Sequence, residues 1–305
     1  MSKTSTPIRV RDRRSGKIFD EQVYGEGALR WVYGSPVGLA LEKALLSKRL
    51  VSALMGAYHD SSSSTAKIGS FISRYGINMD EFEAGPFSSF NEFFIRRFKL
   101  NARPFVAAPA MAAFAEARYF AWEQTDESTA VPVKGALLSP RQLLSDGISA
   151  DQARRLEGGP LLLARLCPTD YHRFHFPDHG RWLSCRRIPG RLHSVNPVAL
   201  QARPRTFLDN ERQVSLLECD SLGMLAYVEV GALGVGKIIQ RRTERFERGA
   251  EKGYFLFGGS TVIVVGEPGR WKPDHDLLSA TRDGIETLIH LGEKIADSTA
   301  GNKQA

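Results

Sequence analysis

Gly258-Gly259-Ser260-Thr261 joins a serine hydroxyl to two peptide units that carry no side chain, between short apolar runs at 254–257 and 262–265. Such runs read as buried strands, and a Gly-Gly-Ser junction between them predicts a tight turn whose backbone another group can approach closely. A hydroxyl held beside the unshielded carbonyl of Gly259 can attack it. The peptide bond then becomes an ester, and elimination followed by hydrolysis leaves a ketone-bearing pyruvoyl cap on a new amino terminus at residue 260. Taken alone the tetrapeptide is a weak signal, because most Gly-Gly-Ser turns only reverse the chain.

A second concentration of chemistry is Tyr171-His172-Arg173-Phe174-His175-Phe176-Pro177. Histidines three apart share a face of a helical turn and are separated on a strand, and Pro177 predicts a short irregular segment. A hydrogen-bonded structural pair and a metal site, with Asp170, Asp178 and His179 as further ligands, both compete with catalysis. The cluster lacks ordinary zinc-ligand spacing, so no metal is expected.

The elements that must position these groups fall into two parts. Apolar residues recur at helical spacing from Val37 to Tyr58, with Ser35 as cap and Pro36 at the first turn, and Lys43, Lys48 and Arg49 add a basic component. Such a helix either lies in a membrane interface or packs on the remainder of the chain. Ser61-Ser62-Ser63-Ser64 reads as a linker, which sets an N-terminal helical segment at 1–65 against a catalytic domain at 66–305. Further helical turns are expected at 68–75 and 89–98. From about residue 119 to 265 short apolar runs punctuated by Gly and Pro predict a β-rich core, and a final amphipathic helix is expected over 283–295. The fold class is therefore α+β: a helical leading segment followed by a mainly β core, sandwich or barrel-like.

A chain of 305 residues with 42% hydrophobic content can bury a substantial core. No apolar run reaches the length that crosses a bilayer, and residues 1–5 lack the core of a secretory signal, so the chain is expected on the cytoplasmic side. Cys167, Cys185 and Cys219 form neither a metal pair nor a disulfide framework. The net charge of +7 suits anionic lipid or nucleic acid, but no nucleic-acid module accompanies it, so none is expected as a partner.

The motifs Phe90-Asn91-Glu92-Phe93-Phe94-Ile95-Arg96-Arg97, Val133-Lys134-Gly135, Asp170 to Pro177, Gly190-Arg191-Leu192-His193-Ser194-Val195-Asn196-Pro197, Asn210-Glu211-Arg212 and Val230-Gly231-Ala232 with Val235-Gly236 occur in the order found in phosphatidylserine decarboxylases. The chain resembles that family over nearly its whole length. The resemblance implies self-cleavage between Gly259 and Ser260 into 1–259 and 260–305, two fragments that stay together. It also implies a covalent pyruvoyl cofactor derived from Ser260, whose ketone condenses with the substrate amine and accepts the electrons released as CO2 leaves. His175 matches the base for the self-cleaving serine, and His172 matches the histidine of decarboxylation.

Glu116 falls where the family carries the aspartate that orients the base, within Ala113-Phe114-Ala115-Glu116-Ala117 rather than the usual Ser-Pro-x-Asp-Gly. It keeps the charge and adds a methylene, so a hydrogen bond to His175 is expected unless Glu116 is a surface residue. The substrate implied is phosphatidylserine, converted to phosphatidylethanolamine at the cytoplasmic face of the membrane by a peripherally bound enzyme; the reading admits a homodimer. An unprocessed lipid-binding relative, or a pyruvoyl decarboxylase of another serine-bearing lipid or amino acid, are the alternatives.

Overall fold

In the computed structural model, which describes residues 8–21, 25–46, 49–130, 138–233, 237–258 and 260–299, the apolar runs become the centre of a ten-stranded sheet. Strand Ser260–Gly266 lies between Gly223–Val230 and Leu161–Leu166, antiparallel to both, and every residue of the three strands is buried. Both faces are covered, which is why these strands read as continuous apolar runs and not as alternations. Beyond Gly223–Val230 come Arg212–Cys219, Gly180–Ile188 and the short edge Arg245–Phe246. On the other side come Ala117–Trp122, Glu286–Ile289, Arg9–Asp12 and Ile18–Asp20.

The fold is α+β, and the sheet stays open: of the two core forms expected, barrel closure does not occur. Two three-stranded sheets accompany it. One orders Ile238–Gln240, Glu251–Phe255 and Arg173–His175; the other orders Trp271–Pro273, Lys294–Ser298 and Met111–Ala112.

The leading segment is helical as expected, with α1 at Glu26–Gly34, α2 at Pro36–Leu41 and α3 at Arg49–Asp60. Ser35 caps α2 by accepting from Gly38 N at 3.0 Å, with Pro36 in its first turn. The expected single helix from 37 to 58 is interrupted after Leu41 by a π-helical turn, Glu42–Leu46, which carries a fully buried carboxylate at Glu42. Two strands precede these helices, and Arg9–Asp12 pairs in parallel with Glu286–Ile289.

The serine run is no loose linker. Ser62–Lys67 is a 3₁₀ helix in which the buried Ser64 hydroxyl donates to Ser61 O at 2.6 Å and accepts from Phe90 N at 2.8 Å. Helices α4 (Ile68–Tyr75) and α5 (Phe90–Phe94, capped by Ser89 accepting from Glu92 N at 3.1 Å) then pack Phe71, Phe90, Phe93 and Phe94 against Phe257. The expected helix over 283–295 is replaced by helix His275–Arg282 followed by strands Glu286–Ile289 and Lys294–Ser298. Gly284 at φ 69 breaks the helix, and Thr287, Leu288 and Ile289 find strand partners in Tyr119, Arg118 and Ala117, a pairing that outweighs local helical spacing.

A fully buried lysine fastens the first small sheet to the large one. Lys252 Nζ donates to Glu229 Oε1 at 2.5 Å, Ser215 Oγ at 2.9 Å and Gln240 Oε1 at 2.9 Å, and sits 4.3 Å from the Trp182 ring centroid. Glu229 and Ser215 belong to the large sheet, so the strand leading to residue 260 is held at a set distance from it. Removing one partner of such a buried pair costs about 3–5 kcal/mol.

Candidate active site

The glycine junction is a crossing between two sheets. Strand Glu251–Phe255 belongs to a three-stranded sheet and Ser260–Gly266 to the ten-stranded one, so the chain changes sheets between 256 and 259. Gly258 makes the passage at φ 145, a conformation that side chains rarely adopt. Gly259 itself, like the Val133-Lys134-Gly135 and Val235-Gly236 motifs, lies outside the described residues.

Several groups steady the approach to the junction. Asn91 Oδ1 accepts from Phe257 N at 2.9 Å while its amide donates to Asp60 at 2.7 Å, and His172 O accepts from Phe255 N at 2.9 Å. The His59 ring lies 4.1 Å from that of Phe257. The Phe90–Arg97 motif, which reads as packing, thus also supplies a polar clamp through Asn91, a signal visible in sequence only as one amide among aromatics.

Ser260 is fully buried opposite Leu166, and its Oγ has no hydrogen-bond partner among the described residues. A buried hydroxyl without a partner is costly, and such exceptions concentrate where chemistry is done. His172 precedes strand Arg173–His175 and is fully buried, its ring 3.9 Å from that of Phe94. Its Nδ1 is 3.0 Å from Asp170 O, so Nδ1 carries the proton; Nε2 has no well-formed hydrogen bond among the described residues, and the Gly258 backbone lies against this ring. Burial, aided by Arg96 and Arg118, holds its pKa down to about 3.

The backbone between the two histidines is extended, so residues three apart face opposite ways. His175 Nδ1 donates to Gly249 O at 2.8 Å, and Nε2 accepts from the Tyr171 hydroxyl at 3.1 Å. Burial lowers its pKa to about 4. Both imidazoles are neutral near pH 7 and so carry free or hydrogen-bonded lone pairs as bases. Among the described residues no group of three His, Cys, Asp or Glu side chains converges as a metal site. Asp178 instead accepts from Arg248 at 2.6 Å and Ser221 N at 2.8 Å, and Asp170 bonds Arg118 and Cys167 N.

Glu116 is not joined to His175. Its carboxylate takes the Arg103 fork at 2.6 and 2.9 Å and Leu291 N at 3.2 Å, and Arg103 turns its remaining donors to Glu81 at 2.8 and 3.1 Å. The group that contacts His175 Nε2 is Tyr171 instead. Neighbouring backbone does meet, since His175 N donates to Phe114 O at 2.8 Å. Glu116→Gln is expected to weaken the nearly buried Arg103 pair, lower unfolding stability by about 2–3 kcal/mol and slow processing. Denaturant melts and precursor time courses measure the two effects; maturation at the wild-type rate would remove the carboxylate from processing.

A cavity of about 280 Å³ opens beside the junction, bounded by Phe257, Gly258 and Leu166, by Leu29 of α1 and Met55 of α3, and by the polar groups of Ser194, Asn196, Thr169 and Glu21. A larger cavity of about 660 Å³, near helices Pro140–Leu144 and Ala150–Leu156, contains none of the site residues. Under the smaller one, Arg165 bonds Glu21 at 2.7 Å and Glu286 at 2.5 Å, and Arg118 forms an ion pair with Glu21 at 2.5 Å without a hydrogen bond. Burial opposes ionisation of Glu21, but Arg165 and Arg118 outweigh it and hold the carboxyl at about 2. The Gly190–Pro197 motif that supplies Ser194 and Asn196 is fixed by Asn210, whose amide donates to His193 O at 2.8 Å and Gly231 O at 2.7 Å. Sequence patterning did not reveal Asn91 or Glu21, since each acts through a partner remote in the chain, nor Tyr171, whose contact with His175 four residues on depends on the local bend before the strand.

The histidines carry a pH signature. In the unfolded chain they titrate near 6.5, whereas in the fold they stay neutral to about 3 and 4, so the unfolded state binds more protons in between and stability falls on acidification through that window. From about pH 7 to pH 5.5 the two together are expected to cost roughly 2.5 kcal/mol. Urea melts should show His175→Gln losing about half of that difference relative to wild type; an unchanged difference would mean that the His175 ring is accessible to water.

Fold and site together define an α+β protein with a buried serine at a crossing between sheets, a neutral imidazole, His172, against the Gly258 backbone, and a mostly apolar cavity beside the junction. Residues 90–297 match the family model for phosphatidylserine decarboxylase. The chain is 40% identical over 294 residues to the phosphatidylserine decarboxylase proenzyme of Clostridium novyi, covering 94% of this chain and 98% of that one. It is 40% identical to the proenzyme of Desulfitobacterium hafniense, covering 94% and 97%, and 38% identical to that of Clostridium perfringens, covering 97% and 100%. The chain belongs to the phosphatidylserine decarboxylase family, a family of carboxy-lyases.

Proposed function

We propose that this chain is a proenzyme that cleaves itself at Gly259-Ser260 and then decarboxylates phosphatidylserine to phosphatidylethanolamine. The observation that carries the reading is the buried, unpartnered Ser260 hydroxyl at a glycine crossing, in a chain whose relatives are proenzymes of this name. In processing, Ser260 Oγ attacks the Gly259 carbonyl, the C–N bond gives way to an ester C–O bond, and the hydroxyl proton passes through an imidazole to the nitrogen. Elimination releases the Gly259 carboxylate, and hydrolysis releases ammonia and leaves the pyruvoyl group on residue 260.

The residues fit such a group: Ser260 is buried, its Oγ has no partner among the described residues, and the cavity reaches Gly258 and Leu166, the strand partner of Ser260. Held there, pyruvoyl would supply a ketone that acts as the electron sink for loss of CO2. His172 contributes a neutral Nε2 that can hold or return a proton, kept in that tautomer by Asp170 O. His175 is the proposed base for processing, tethered by Gly249 O and Tyr171. Leu29, Met55 and Val195 give the cavity an apolar wall.

Residues 1–65 are the proposed membrane-facing segment, with peripheral attachment at the cytoplasmic face. Support comes from Trp31, Val37, Leu50, Leu54 and Tyr58, all exposed on α1 to α3, while no helix among the described residues is long and apolar enough to cross a membrane. The direct test is incubation with phosphatidylserine vesicles, reading CO2 and phosphatidylethanolamine together with intact mass. Two fragments with turnover are expected; turnover by a single full-length species would overturn the mechanism.

A further inference from the structure

A second, polar pocket of about 370 Å³ is lined by Lys43, Arg191, His193, Arg203 and Asp209. It shares no lining residue with the cavity at the junction. Three of the five are fixed cations, and Arg191 is exposed with no side-chain hydrogen bond or ion pair among the described residues. The pocket is built, not a chance convergence of surface side chains. Buried Glu42, on the π-helical turn, bonds His193 Nδ1 with one oxygen and Arg203 Nη2 at 3.0 Å with the other, and so fixes both side chains before any ligand arrives. Asp209 is drawn partly towards Arg205 at 3.6 Å.

We propose that this pocket binds a phosphate group, and that the phosphate belongs to the headgroup of an anionic phospholipid other than the one being converted. A guanidinium fork matches phosphate oxygens in geometry as well as charge, and the Arg191 fork, with Lys43 and the Arg203 donors that Glu42 does not take, suits a phosphodiester. The lipid source follows from the neighbourhood: Lys43 stands two residues beyond Leu41, and α2 exposes Val37 and Leu41 beside it, so an acyl chain has an apolar face next to the headgroup's cations. The same chain segment carries His193 in this pocket and Ser194, Val195 and Asn196 in the catalytic one. An occupant therefore steadies the wall of the catalytic cavity from its far side. The lipid assignment rests on the peripheral membrane reading; the phosphate assignment does not.

The test uses the full chain and vesicles of phosphatidylcholine, with and without a minor fraction of phosphatidylglycerol, so no decarboxylation is involved. Arg191→Glu is compared with Arg282→Glu, an equal charge change on the helix His275–Arg282, which packs on the Ala117–Trp122 and Glu286–Ile289 strands. Wild type and Arg282→Glu are expected to bind the anionic vesicles alike, while Arg191→Glu binds about tenfold more weakly, with all three equal on neutral vesicles. Equal binding by Arg191→Glu and wild type, or an equal loss in both variants, would overturn the site. Millimolar inorganic phosphate at constant ionic strength separates the sources: a persisting wild-type advantage assigns the pocket to lipid, and its disappearance assigns free phosphate and overturns the lipid source. Failure of the wild type to bind the anionic vesicles would overturn the lipid ligand and count against the membrane reading.

Discussion

Ser260→Ala is expected to remain a single full-length chain without decarboxylase activity. The substitution removes one oxygen from a fully buried strand position whose hydroxyl has no partner among the described residues, so no hydrogen bond among them is lost and stability is expected to be unchanged or higher. Chemistry loses everything, because no nucleophile remains to form the ester and no precursor remains for the ketone. Electrophoresis under denaturing conditions and intact mass read the first effect, and CO2 release the second. Wild type should give fragments 1–259 and 260–305, the smaller with a blocked amino terminus. Ser260→Cys keeps a nucleophile and is expected to cleave slowly, which separates loss of the hydroxyl from damage to the strand. An alanine variant that cleaved at the same bond would sink the serine mechanism outright.

Loss of either histidine should be nearly as severe, but at different steps. His175→Ala is expected to slow maturation by about 10²–10⁴-fold, the range of a positioned general base. His172→Ala should mature at least partly and lose decarboxylation by a comparable factor. The structure makes this a sharp comparison, since the His172 ring lies against Gly258 with Nε2 unpartnered among the described residues, while both nitrogens of His175 are engaged. For His175 to accept the Ser260 proton, its bond to Tyr171 must open, and Tyr171→Phe is expected to change the maturation rate by releasing Nε2. Glutamine at each position fills the space and distinguishes a lost base from a cavity. The reverse pattern, with His172→Ala uncut and His175→Ala cut, would transfer the base role to the imidazole beside Gly258.

Legibility in the sequence followed the range of the forces involved. Ser35 with Pro36, and Ser89 ahead of Phe90, mark helix starts because a cap is made within three residues. The central strands announce themselves because residues such as Val262 to Val265 are buried on both faces. The C-terminal region misled for the complementary reason: Leu288 and Ile289 keep helical spacing with their neighbours, yet Arg118 and Ala117, far away in the chain, supply the pairing that makes them a strand. The serine run misled likewise, because the partner of the Ser64 hydroxyl is the backbone of Phe90.

The sequence by itself determined which atoms are available for chemistry: a serine after two glycines, two histidines three apart, an acid at 116, and motifs whose order marks the family. Those are covalent and compositional facts that need no tertiary structure. Only the tertiary structure decided that the Gly-Gly-Ser segment crosses from one sheet to another, that His172 and not His175 lies against Gly258, and that Glu116 answers Arg103. The physical reason is the same in each case. Which face a strand residue shows depends on the sheet that the strand joins, and which ion a carboxylate meets depends on the remote elements packed beside it, so neither is encoded within a short window of chain.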